Sequence, residues 1–141
     1  MYVIIVGCGR VGAALATEYC AEGHAVVIID KDQESFGRLG DDFQGSTITG
    51  NGIDEDILHS AGIERADAFI TTTNGDNSNL MAAQIAQRLY GVKRVVARCN
   101  DPVRSEAYAD MGLTTVCPTT VGAAQIRQAL GAIDSDDGGT D

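Results

Sequence analysis

Three glycines and one aspartate are the residues of this sequence whose types and spacing could do chemistry. Gly7, Gly9 and Gly12 stand as G-x-G-x-x-G, with Cys8, Arg10 and Val11 between them, at once after the apolar run Tyr2 to Val6. That order predicts a buried strand, a tight turn and a helix that begins inside the turn. Gly7 then permits the turn, Gly9 lets an anion approach the backbone without meeting a Cβ, and Gly12 lets the helix lie close to the strands. The unpaired amides and positive dipole end of the helix would face that anion. A second apolar run, Ala25 to Ile29, ends in Asp30, 18 residues past Gly12, where a carboxylate can accept from ribose hydroxyls. Lys31 and Asp32 follow, with no arginine directly beside Asp30 to take a 2′-phosphate. The chemistry implied is the holding of a phosphorylated adenosine with a free ribose, as in NAD(H), ATP or ADP; the bland alternative is a strand-to-helix turn that binds nothing.

The elements that must position these residues can be read from hydrophobic periodicity. Short apolar runs alternate with stretches of helical period, which predicts an α/β fold with a Rossmann-like, doubly wound, six-stranded parallel sheet. Strands are expected near 2–6, 25–29, 46–49, 67–72, 94–99 and 114–117. In the first helix, Val11, Leu15 and Tyr19 should form the stripe facing the sheet, with Gly23 closing the helix. A polar, weakly periodic helix is expected over about 32–41 and a short one from Asp54. The clearest helix, 78–90, should bury Met81, Ile85 and Leu89, with Ala82 and Ala86 beside them. Asp101 and Pro102 read as a helix start, and Thr119 or Thr120 as the cap of a last helix ending at Leu130.

In such sheets ligands sit outside the carboxyl ends of the strands, where the strand order reverses. For the order 3-2-1-4-5-6 that crevice lies between the first and fourth strands. Its rim would hold the glycine loop, Asp30 and Lys31, then Asn51 and Gly52, then Thr72, Thr73, Asn74 and Asn77, and Arg98. Adenine is expected near Asn51 and the other half of the ligand near Thr73 and Asn74. Arg10 and Arg98 are the cations placed to meet phosphate oxygens. The plain alternatives are an Arg98 paired only with Asp101 and an Arg10 that is merely solvated.

Composition narrows the rest. With 141 residues the chain makes one domain and is too short for a cofactor domain plus a substrate domain. We expect that domain over 1–131 and a loose acidic tail over 132–141. A formal charge of -10, with ten Lys and Arg residues that do not cluster, argues against nucleic acid. Cys8, Cys20, Cys99 and Cys117 form no C-x-x-C pair, and no leader or long apolar run is evident, so reduced thiols, a cytosolic location and no direct membrane insertion are expected. His24 and His59 lie away from the expected crevice. No serine sits in a nucleophile elbow and no P-loop lysine follows the glycines, so the reading is a site that holds a nucleotide without transforming it.

These motifs in sequence, Val6 to Gly12, Ile29 to Asp32, Thr49 to Gly52, Thr71 to Asn79 and Ala97 to Asp101, resemble the nucleotide-binding N-terminal domain of the Trk and Ktr potassium-transport regulators, also called the RCK or KTN domain. The likeness runs to about residue 131. It implies a non-catalytic regulatory subunit that binds NAD(H), or alternatively ATP or ADP. It also implies a homodimer or larger ring formed through the later helices, lying in the cytoplasm against the inner membrane through a potassium transporter or channel partner. On that resemblance Arg10 reaches a terminal phosphate, Asp30 the ribose, Asn51 the adenine side and Arg98 a phosphate, with Cys8, Val11 and Lys31 in the surrounding loops. Three departures stand out. Asn51 replaces the usual aspartate, Thr119 stands where some members carry a metal-holding glutamate, so no metal of that kind is expected, and the smaller C-terminal domain is not part of this sequence, which is either a stand-alone form or a piece. The reading from another class is the cofactor half of an NAD-dependent oxidoreductase that works with a partner chain. A third is a dimer that kept the fold and lost the ligand.

Overall fold

The structure is a computed structural model and describes residues 1–133. The tail expected over 132–141 therefore lies, from residue 134 onward, outside the described residues.

Six strands, β1 (Tyr2–Val6), β2 (Ala25–Asp30), β3 (Ser46–Thr49), β4 (Ala68–Thr71), β5 (Arg94–Arg98) and β6 (Thr114–Val116), form one sheet in the order β3-β2-β1-β4-β5-β6. Every pairing is parallel. β1 is central and carries a run of β-branched residues because both of its faces are covered. Ile4 and Val6 point to one layer with Ile29, Leu58, Phe69 and Leu80. Val3 and Ile5 point to the other with Ile28, Ala13 and Ala16. Val6 pairs with Ile29 on one side and Thr71 on the other, so the loops after β1, β2 and β4 emerge side by side at one edge.

Helix α1 (Arg10–Ala21) follows β1, and a 3-10 helix (Gln33–Leu39) follows β2. Then come α2 (Glu55–Ser60), a short 3-10 turn (Ile63–Arg65), α3 (Asp76–Gln84) running into a π turn (Ile85–Leu89), α4 (Pro102–Asp110) and α5 (Pro118–Leu130). Asp101 caps α4 by accepting from the Val103 amide at 3.0 Å, with Pro102 in the first turn, as expected.

Four expectations are corrected. The fully buried stripe of α1 is Gly12, Ala13 and Ala16; Leu15 and Tyr19 pack half-buried at its margin, while Val11 is 52% exposed. The small residues win because α1 must lie close enough to the sheet to bring its first turn to the strand ends. In α3 the buried residues are Asn79, Leu80, Ala82 and Ala83, and Met81, with Leu89 in the π turn, faces outward, 51% and 67% exposed. The polar stretch after β2 is a 3-10 helix, opened by Asp32, whose side chain accepts from the Glu34 amide. Finally, Cys117, not Thr119 or Thr120, holds the cap position of α5, because Pro118 has the fixed φ that suits the first helical residue.

Candidate functional site

A cleft of about 710 Å³ opens at the edge where β1, β2, β4 and β5 end. That is within the usual size range for small-molecule sites, roughly 300–1,000 Å³.

The first wall is the glycine loop. The ladder continues past β1, with Gly7 N–H donating to the Ile29 carbonyl at 2.7 Å and Thr72 N–H donating to the Val6 carbonyl at 2.8 Å. Gly7 adopts φ +105°, and a Cβ there would stand 2.9 Å from the Thr73 nitrogen. A Cβ on Gly12 would run into the Gly7 carbonyl oxygen, whereas one on Gly9 would meet nothing within 4 Å. The three glycines thus do different work: Gly7 makes the turn, Gly12 allows the packing, and Gly9 keeps the cleft open. The first intrahelical bond of α1 runs from Ala13 N–H to the Gly9 carbonyl at 2.9 Å, and no side chain caps the amides before it. Those amides belong to the loop on which Arg10 and Val11 line the cleft.

Asp30, at the end of β2, ties this loop to the next. Its Oδ2 accepts from Cys8 N–H at 2.7 Å and its Oδ1 from Asp32 N–H at 2.8 Å. An ionised carboxylate has about four acceptor sites, so about two remain for ligand hydroxyls. On the other side of the same residue, Arg38 Nη1 donates to the Cys8 carbonyl at 3.3 Å. The Cys8 thiol is buried and donates to the Ser35 carbonyl at 3.4 Å. Burial, and then the Asp30 carboxylate, push that thiol above its ordinary range against the pull of Arg38, which disfavours a thiolate nucleophile.

The opposite wall comes from the loops after β4 and β5. Asn79, 1% exposed, has all four of its amide positions used. Its Nδ2 donates to the Thr73 carbonyl at 2.8 Å and the Arg98 carbonyl at 3.1 Å, and its Oδ1 accepts from the Thr73 amide at 3.0 Å and the Thr73 hydroxyl at 2.6 Å. Asp76 accepts from the amides of Asn100 at 2.7 Å and Asp101 at 3.0 Å. Desolvation raises the Asp76 carboxyl, but those two amides, the Cys99 thiol and the charge of Arg104 together hold the group below its ordinary value. Arg98 is held by Asn100 Oδ1, which accepts from Nε at 3.1 Å, and by the Thr72 carbonyl, 3.4 Å from Nη1. It is therefore not paired with Asp101, whose carboxylate caps α4.

Most of the residues expected at the site line this one cleft. Gly7, Cys8, Gly9, Arg10 and Val11 do so from the glycine loop, and Asp30 and Lys31 from the end of β2. Asn51 and Gly52 line it after β3, Thr72, Thr73 and Asn74 after β4, and Arg98 at the end of β5. Asn51 accepts from Ile53 N–H at 3.1 Å, which leaves its NH₂ group for a ligand. Gly12 does not line the cleft, since it sits beneath the loop against Gly7. Asn77 does not either; its Oδ1 accepts from Arg104 Nη2 at 2.6 Å on the α4 side. Arg38, Ser35 and Ser78 line the cleft without having been singled out. Arg38 lies eight residues past Asp30, too far for the sequence to show that the 3-10 helix folds it back. Among the described residues no group of His, Cys, Asp and Glu side chains gathers where it could hold a metal, and no helix is long and apolar enough to cross a membrane.

The chain matches the family model described as TrkA-N domain over residues 3–119. It is 47% identical over 130 residues to the Trk system potassium uptake protein TrkA of Streptomyces coelicolor. That alignment covers 92% of this chain but 58% of the relative, so the chain spans less than two thirds of that protein's length. Among solved structures it is similar to the TrkA-N domain of the inner membrane protein ybaL from Escherichia coli. There the TM-score is 0.81 at 21% identity, with 92% of this chain and 96% of that one covered. It also resembles the GsuK channel bound to NAD, with a TM-score of 0.74 at 26% identity, covering 89% of this chain and 22% of that one. GsuK has also been solved bound to ADP, with the same TM-score and identity, 89% of this chain and 32% of that one being covered.

Proposed function

The chain belongs to the TrkA-N domain family, and from that premise we propose that it is the nucleotide-sensing part of a cytoplasmic regulator of a membrane potassium-transport system. NAD(H) is the first ligand in this reading, with ATP or ADP as the alternative. The observation that carries it is Asp30: its carboxylate braces the glycine loop and still opens, with acceptor sites to spare, on the cleft beside the first turn of α1. A ribose 2′-phosphate would bring like charge against that carboxylate, which favours the unphosphorylated ribose. A relative named as a Trk potassium uptake protein and a channel solved with NAD and with ADP support the same reading.

The protein would act as a homodimer or larger ring, and its transporter partner would supply the path through the membrane. The ligand would regulate without being transformed. It can shift the balance between two arrangements of subunits only by its difference in affinity for them, tenfold for about 1.4 kcal/mol. Calorimetric titration of NADH, NAD, ATP and ADP into the wild type and Asp30→Ala tests the site. Loss of the carboxylate should weaken the preferred ligand at least roughly tenfold. Equal binding by both proteins would overturn the proposal.

A further inference from the structure

The loop after β5 holds a residue bonded to the cleft-lining Arg98 at one end and to the last helix at the other. Asn100 accepts from Arg98 Nε through Oδ1 at 3.1 Å and donates through Nδ2 to the Asn74 carbonyl at 3.4 Å. Its N–H goes to Asp76 at 2.7 Å. Its own carbonyl accepts from the Thr119 hydroxyl at 3.0 Å and the Cys117 thiol at 3.5 Å. One residue therefore joins the cleft-facing guanidinium, the β4 loop, the start of α3 and the first turn of α5. α5 has no buried residue along its length, so its seating rests heavily on this junction.

We propose that Asn100 is a positioning residue: it presets Arg98 for the second phosphate of an adenosine diphosphate group and passes the position of that guanidinium on to the start of α5. The proposal rests on the nucleotide reading of the cleft and deepens it. Neighbouring strands lie about 4.8 Å apart, so the ends of β2 and β5, three spacings apart, are separated by roughly 14 Å. That is room for a ribose at Asp30, one phosphate over the glycine loop and a second beneath Arg98. A phosphate offers Arg98 bonds in which both partners are charged, and these are stronger than its present bonds to the neutral oxygens of Asn100 and the Thr72 carbonyl. When Arg98 moves to meet the phosphate, the Asn100 side chain, bonded to its Nε, is drawn with it and the carbonyl beneath Thr119 is less firmly held. AMP, with a single phosphate, does not reach.

The test is hydrogen exchange of the peptide covering 117–124, with AMP and ADP, in the full chain, alongside calorimetric affinities. In the wild type, ADP should speed exchange there at least roughly threefold over AMP. Thr119→Val, an exposed and near-isosteric change, should leave ADP affinity within about twofold and abolish that difference. Asn100→Ala should weaken ADP at least roughly fivefold and leave AMP within about twofold. A wild type that binds ADP without the exchange difference overturns this inference alone, as does a Thr119→Val protein that keeps the difference. A wild type that binds NADH but not ADP overturns this inference alone, and one that binds none of NADH, NAD, ATP and ADP overturns the site reading and this inference with it. If Asn100→Ala does not fold, the Thr119→Val comparison decides.

Discussion

At Gly9 the absence of a side chain has no packing reason, because a Cβ would meet nothing within 4 Å, while at Gly12 it has an evident one in the Gly7 carbonyl. The two positions should separate function from folding. Gly9→Ala should melt like the wild type, within about 0.5 kcal/mol, and lose at least roughly tenfold in nucleotide affinity, since the methyl enters the space a diphosphate needs. Gly12→Ala should lose about 1–3 kcal/mol or more of stability, because α1 must move away from the loop. Thermal melts beside calorimetry check both, and a Gly9→Ala protein that binds as well as the wild type would show that no anion comes near that amide. The glycine spacing and Asp30 could be read from sequence because each is fixed by the strand end directly before it. Arg38 and Asn79 could not. Arg38 reaches Cys8 only through the fold of a 3-10 helix, and Asn79 reads as one more polar residue in a helix until two neighbouring loops close on it.

The order and type of the elements were legible in the alternating runs, and the sheet has the strand order expected. Rotation of the helices about their own axes was not. α3 and the π turn after it carry two apolar stripes at helical spacing, one through Leu80 and Ala83 and one through Met81 and Leu89, and periodicity alone treats them alike. Burial of Asn79 decides between them: with four hydrogen bonds to make, it must face the loops, and Leu80, Ala82 and Ala83 turn inward with it. The π turn at Ile85–Leu89 then shifts the helical phase of its own residues relative to α3. Leu80→Ala should therefore lower unfolding free energy by about 2–5 kcal/mol. Met81→Ser and Leu89→Ser should each change it by less than about 0.5 kcal/mol in the isolated chain. Denaturant unfolding measures all three, and a large loss at Met81 or Leu89 with none at Leu80 would mean that the helix faces the other way.

On the molecule as a whole, exposed apolar side chains gather along the second half of the chain. Val103 and Met111 are 76% and 58% exposed in and just after α4, and Ile126 and Leu130 are 71% and 69% exposed on α5. Ile126 and Leu130, four residues apart, share one side of α5, and exposed apolar side chains set together in that way are what a partner surface offers. Sequence could not expose this, because Ile126 and Leu130, four apart, look like any inward stripe until α5 is seen to bury none of its residues. In the proposed assembly they are buried by a second copy. Sedimentation of the wild type should show a dimer or a larger species, and Ile126→Asp combined with Leu130→Asp should shift it to monomer. The melting temperature of the dilute, dissociated chain should hardly change, since neither side chain is buried within it. Nucleotide binding gives the further readout: if assembly and ligand are linked, the monomeric variant must differ in affinity by the same factor by which the ligand changes assembly. A wild type that is monomeric at every concentration, with the same nucleotide affinity as the double variant, would leave the cleft a binding site with nothing to regulate.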